Sequence, residues 1–128
     1  MSSDPIVAGT DGSASAEIAV DRAGELAQAL DATVHVVTVL AAASGPGVAQ
    51  KLVADSRERL AARGVKAQTH VRTGDPASEL IKVAEAEHAQ MIVVGNRGMS
   101  GAGRILGSVP NTVSHSARCG VLIIPTDV

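Results

Sequence analysis

Two short glycine-bearing segments of this 128-residue chain, each directly behind an apolar run, carry residues suited to holding a phosphorylated ligand. The first is Gly9-Thr10-Asp11-Gly12-Ser13, after Ile6-Val7-Ala8. The second is Gly95-Asn96-Arg97-Gly98, after Met91-Ile92-Val93-Val94, with Gly107-Ser108 further on. Glycine has no Cβ, so backbone N–H groups there approach phosphate oxygens closely. A helix opening at Gly107-Ser108 points unpaired amides and the positive end of its dipole at the same anion. Asp11 offers a carboxylate that accepts hydrogen bonds from ribose hydroxyls, with capping of a following helix as the other reading. Ser108 offers a hydroxyl that donates to phosphate. Arg97 and Arg104 stand where they either neutralise phosphate charge or lie in solvent. Dedicated hydrolysis needs a general base and usually a protein-held metal. Near the second turn the chain supplies Ser, Asn and Arg, with Asp11 the one carboxylate across the crevice, so the residues describe binding rather than catalysis.

Other phosphate-binding signatures fail. The only lysines, Lys51, Lys66 and Lys82, lie outside any glycine-rich loop, which excludes a Walker-type loop. No Gly-x-Gly-x-x-Gly follows the first apolar run, and Gly101-Ala102-Gly103 is only a partial echo of that dinucleotide fingerprint. A phosphorelay receiver requires an acidic pair after its first strand; here Asp11 stands alone, and Asp75 in Thr73-Gly74-Asp75 is accounted for by helix capping. The histidines, His35, His70, His88 and His115, have no metal-ligand spacing and read as packing or solvent-facing residues. The single cysteine, Cys119, excludes an internal disulfide and reads as a small packing residue. The chain has no Phe, Trp or Tyr, so a bound purine must lie between aliphatic side chains and backbone.

The elements that must position these turns alternate between β-branched runs and helical periodicity, the pattern of an α/β domain on a parallel sheet. Strands are expected at Ile6 to Ala8, Thr33 to Leu40, Lys66 to Arg72, Met91 to Val94 and Val121 to Ile124. The first crossover helix runs from Ser13 to Leu30, capped by Asp11 or Ser13, and the second from about Val48 to Arg63, stopped by Gly64. The third opens at Asp75-Pro76 with Ala77, Leu80, Ile81 and Ala84 inward, and the fourth starts near Ser108 with Val109, Val113 and Ala117 inward. Ala41 to Gly47 reads as a loop. The clusters Arg57-Glu58-Arg59 and Glu85-Ala86-Glu87-His88 read as solvated helix faces with intrahelical pairing. Ligands of open parallel sheets bind where the strand order reverses. An order of 3-2-1-4-5 makes strands one and four neighbours at that point, whereas 2-1-3-4-5 separates them; bringing the two glycine turns together favours the first.

The length suits one domain spanning residues 1–128. A net charge of -2 gives no ground for nucleic acid or an anionic membrane as partner, and no apolar run approaches the roughly 18 residues of a membrane span. Met1 to Pro5 lacks the pattern of a signal peptide, which makes a cytoplasmic location the expectation.

With these pieces assembled, the chain resembles the universal stress proteins, from Ile6 to Thr126. The resemblance is carried by Val7 to Ser13, Gly74-Asp75-Pro76-Ala77, Val93 to Gly98, Gly107-Ser108-Val109 and Val121 to Pro125. The nucleotide-binding branch of that family carries Gly-x2-Gly-x9-Gly-Ser/Thr. Here Gly95, Gly98 and Gly107-Ser108 match it, with eight residues, Met99 to Leu106, in place of nine. The resemblance implies an open five-stranded parallel sheet with helices on both faces and an adenine-nucleotide-binding sensor or regulator rather than an enzyme. It implies that Gly9, Thr10, Asp11 and Val39 meet the adenosine, that Gly95, Arg97, Gly98, Gly107, Ser108 and Val109 hold the phosphates, and that Val94 belongs to the nucleotide-binding set. ATP, with any Mg2+ held by its phosphates, is the first expectation. Cyclic AMP or AMP is the alternative, because Gly-Asn-Arg-Gly followed by Gly-Arg-Ile-Leu-Gly-Ser-Val-Pro-Asn resembles actinobacterial members that bind cyclic AMP. Slow ATP hydrolysis and an interaction module without nucleotide are the other readings. A homodimer paired through the edge strand Val121 to Ile124 is also implied.

Overall fold

Five short runs form strands, β1 (Ile6–Gly9), β2 (Val34–Leu40), β3 (Ala67–Thr73), β4 (Met91–Gly95) and β5 (Gly120–Ile124); all but β3 are rich in Val or Ile, and β3, at the sheet edge, carries one Val between Thr69 and Thr73. Four helices join them, α1 (Ala14–Leu30), α2 (Pro46–Ala62), α3 (Pro76–Ala86) and α4 (Ser108–Ser116), in a computed structural model that describes residues 3–40, 46–96 and 108–125. All pairings are parallel, in the order β3-β2-β1-β4-β5. This is the order that makes β1 and β4 neighbours, and it has the helices on both faces that the sequence implies.

Because both faces of the sheet are covered, alternate residues of each strand enter different cores. Ile6, Ala8, Val34, Val36 and Val93 pack with Ala19, Val20 and Ala23 of α1 and Val53 and Leu60 of α2. Val7, Val37, Ile92 and Val94 pack with Leu80 and Val83 of α3 and Val109 and Val113 of α4. On α3 the buried stripe is Ala77, Leu80, Val83 and Ala84, so Val83 joins the expected set and Ile81 is left half-buried. Helices α1 and α2 approach closely at Gly24, where a Cβ would come within 2.6 Å of Leu60 Cδ2.

The helix ends follow the capping residues. Ser13 accepts a hydrogen bond from the Ala16 amide at 3.1 Å, which makes it, rather than Asp11, the cap of α1. Asp75 accepts from the Ser78 amide at 2.9 Å with Pro76 in the first turn, as expected for α3. Pro46 and Gly47, expected in a loop, instead belong to the start of α2, where a proline's fixed φ and missing N–H carry no penalty. Strand β3 begins and ends one residue later than expected, and Ala117 lies just beyond α4.

Candidate functional site

The strand order reverses between β1 and β4, and the Thr10-Asp11 turn and Gly95-Asn96 leave from there. Ile6, Val7 and Ala8 pair with Met91, Ile92 and Val93, so Thr10-Asp11 and Gly95-Asn96 emerge side by side from the carboxyl ends of neighbouring strands. The first turn is built from its own side chains. Gly12 has φ +83°, a left-handed conformation that glycine adopts without strain, and its amide donates to Thr10 Oγ1 at 3.0 Å. The Ser13 amide donates to Asp11 Oδ1 at 2.9 Å. Asp11 thus supports the turn that leads into α1 while remaining only partly buried, with a second carboxylate oxygen able to accept from a ligand.

Thr10 is fully buried, and its hydroxyl donates to Glu17 Oε2 at 2.8 Å. Glu17 also accepts from Ser56 Oγ on α2, at 3.3 Å and 3.4 Å to its two oxygens, and from the Arg59 guanidinium. A further Arg59 nitrogen donates to Asp21 at 2.9 Å. Arg59, read from the sequence as paired within its own helix, is therefore bound across the interface to α1. These bonds tie the β1 turn, α1 and α2 into one polar network and hold Asp11 at the crevice.

On the other wall, Val94 and Gly95 are buried at the end of β4, and the Asn96 amide donates to the Ile124 carbonyl at 2.9 Å. Ser108 opens α4 at the surface, while Val109 and Val113 anchor that helix in the core. Pro110 in the first turn has no N–H, which leaves the amides of Ser108, Val109 and Asn111 as the donors of this helix end. Val39 lies near the end of β2, half-buried and in register with Arg72. Arg97, Gly98, Arg104 and Gly107 lie outside the described residues. The structure thus brings Gly9, Thr10, Asp11, Val94 and Gly95 to one end of two adjacent strands.

A second polar cluster was not legible from spacing. Strand pairing sets His70 of β3 beside Val37 of β2, two residues from His35 on the same face, and His35 Nδ1 lies 2.8 Å from His70 Nε2. His35 Nε2 faces Glu87 Oε1 at 3.8 Å, at the end of α3. The two rings share one hydrogen bond, and their tautomers set which nitrogen donates it. Glu87, read as part of a solvated face, thus turns to a buried imidazole, and Glu85 reaches Arg118 at 3.9 Å rather than a partner in its own helix. Burial pushes His35 below the usual histidine range despite the Glu87 charge. His70 is lowered by burial, then by His35 and Arg72, again against Glu87.

Cys119 lines a separate pocket of about 280 Å³ with Ile81, Ala84, His88 and Ile92, near the amino ends of β4 and β5 and away from the glycine turns. Burial raises its thiol pKa, which disfavours the reactive thiolate and fits a packing role.

Two consequences are measurable. Glu17→Ala leaves the buried hydroxyls of Thr10 and Ser56 without their acceptor, at roughly 1–3 kcal/mol for each group left unsatisfied. Urea denaturation should show a loss of at least about 2 kcal/mol, whereas Glu25→Ala, which breaks only an exposed pair with Arg22, should cost under about 1 kcal/mol. The lowered histidines set a pH dependence. Folding holds their protons less tightly than the unfolded chain does, so their contribution is complete above the ordinary value of 6.5 and is lost as pH falls through the lowered folded values. The urea midpoint should drop between about pH 7.5 and about pH 5.5, and His70→Gln should flatten that drop.

Comparison with known proteins agrees with this architecture. Residues 3–125 match the Universal stress protein family. A universal stress protein of Mycobacterium tuberculosis is 35% identical over 140 residues, covering 94% of this chain and 95% of its own. Among solved structures, a universal stress protein crystallised in complex with cAMP superposes with a TM-score of 0.83 at 36% identity, covering 99% of this chain and 100% of the other. One from Archaeoglobus fulgidus gives a TM-score of 0.81 at 25% identity, covering 95% and 98%. With the family pattern matched from β1 through β5, the chain belongs to the universal stress protein family.

Proposed function

We propose that the chain binds an adenine nucleotide across the mouths of β1 and β4 and acts as a nucleotide-responsive sensor or regulator. The observation that carries this reading is the juxtaposition of the Asp11 turn with Gly95 at the reversal of strand order. In it, Gly9, Thr10, Asp11 and Val39 take the adenosine, with the Thr10 side chain committed to the turn and Asp11 accepting from the ribose. Val94, Gly95, Arg97, Gly98, Gly107, Ser108 and Val109 surround the phosphates. Aliphatic walls and backbone enclose the purine in place of aromatic rings. No carboxylate but Asp11 belongs to the set, so Mg2+ enters on the phosphates of ATP and the site binds without dedicated turnover. The protein is assigned to the cytoplasm on the same reading.

Cyclic AMP is the alternative ligand to ATP, and a specific observation favours it: the 36%-identical structure holds that nucleotide. A single phosphate is satisfied by the Ser108 hydroxyl and the helix-end amides, whereas a triphosphate also calls on Arg97 and Arg104. Calorimetric titration of ATP, AMP and cyclic AMP orders the ligands. Gly98→Val or Gly107→Val should weaken binding more than tenfold, well beyond the ~0.3–1 kcal/mol of a helix-end charge effect. Unchanged affinity in both variants places the pocket elsewhere, and an ATP preference above about 100-fold (~2.7 kcal/mol) removes the cyclic nucleotide.

The proposal includes a homodimer through Val121 to Ile124. Strand β5 is at the sheet edge, and Leu122 is 37% exposed beside Leu26 in a shallow groove of about 270 Å³. Exposed apolar edges invite a second strand. Light scattering should report twice the chain mass, and Leu122→Lys, at a site with room for a charged side chain, should report the monomer. A monomeric parent contradicts this part of the proposal.

A further inference from the structure

We propose that His35, His70 and Glu87 form a binding site for a divalent transition-metal ion of the zinc type. The site is separate from the nucleotide crevice and independent of that reading. One ligand atom from each of the three side chains lies within 4.8 Å of the others. Two imidazoles and a carboxylate are a donor set that zinc takes readily, with a water completing a tetrahedron.

The geometry needs little rearrangement. With zinc–ligand bonds of about 2.0–2.1 Å, tetrahedral ligand atoms stand about 3.3 Å apart. His35 Nδ1 and His70 Nε2, at 2.8 Å, must open slightly and give up the hydrogen bond between them, and Glu87, which faces the other His35 nitrogen, Nε2, at 3.8 Å with its side chain 38% exposed at the end of α3, must swing round to join them. His35 is 2% exposed on a sheet face otherwise lined by Val37 and Val39, so its ring is held in place before any ion arrives. Burial also keeps both imidazoles neutral, the form with a lone pair to give. His70, half-buried on the edge strand β3, and Glu87, half-buried at the end of α3, provide the way in. Three elements contribute one ligand each, β2, β3 and the end of α3, so a bound ion clips the helix end to the edge of the sheet. Ions that bind only the folded chain raise its stability.

The test is titration of ZnCl2 into the chelator-treated full chain without nucleotide, followed by calorimetry and thermal melting. One equivalent should bind and raise the melting temperature. His70→Gln and Glu87→Gln, both at partly exposed positions that leave His35 intact, should each weaken binding at least tenfold. On the unsubstituted chain, imidazole 15N resonances of His35 and His70 should shift on zinc addition while those of His88 and His115 stay in place. That readout does not depend on how the variants fold. No binding up to about millimolar zinc overturns the proposal. So does binding that survives undiminished in either variant, or shifts confined to His88 and His115.

Discussion

Burial of both faces of one parallel sheet is the constraint on which the remaining structure depends. Parallel strands need crossovers, and the crossovers must cover each face, so α1 and α2 pack on one side and α3 and α4 on the other. Once the chain has laid β2 and β3 on one side of β1, it must return across the sheet to place β4 on the other. The two connections that leave β1 and β4 therefore diverge toward opposite faces, and a crevice opens between them. The Asp11 turn and Gly95-Asn96 lie at that break because the apolar layers end there. Neither turn is placed by local preference alone.

Against this apolar background the few buried polar groups stand out. Thr10, His35, Thr38 and Ser56 are the buried polar residues among those described. No buried side-chain polar atom among them lacks a hydrogen-bond partner, which is the condition for such groups to be tolerated in a core. Thr10 and Ser56 meet at Glu17 and brace the Asp11 turn, while His35 meets His70 at the far side of β2. One network thus supports the crevice between β1 and β4 from below, and the other stands on the opposite face of the sheet, under α3.

Much of the fold was legible because its signals are local. The Val- and Ile-rich runs, the Ser13 and Asp75 caps and the stop at Gly64 each report on a few neighbouring residues, and the observed elements agree with them to within one or two positions at most ends. The strand order was a choice between two that the sequence left open; joining the glycine turns favoured the order that the structure has. Cross-strand and interhelical partners were not legible. His35 and His70 are 35 residues apart and meet only through the register of β2 on β3, and Arg59 finds Glu17 at a separation of 42. Charged runs such as Arg57-Glu58-Arg59 look solvated in a sequence because periodicity shows which face a residue occupies, not what packs against it. Pro46 was misplaced because proline marks both loops and first helical turns.

The central claim is that an adenine nucleotide occupies the crevice between β1 and β4. Its most direct test is amide chemical-shift mapping by 1H–15N NMR during titration of the full chain with cyclic AMP and, separately, with ATP. The account predicts shifts concentrated on Gly9, Asp11, Gly12, Val39, Gly95, Asn96, Ser108 and Val109 for at least one of the two. Shifts gathered instead around His88 and Cys119 at the other end of the sheet, or no shifts with either nucleotide at saturating concentration, would contradict it.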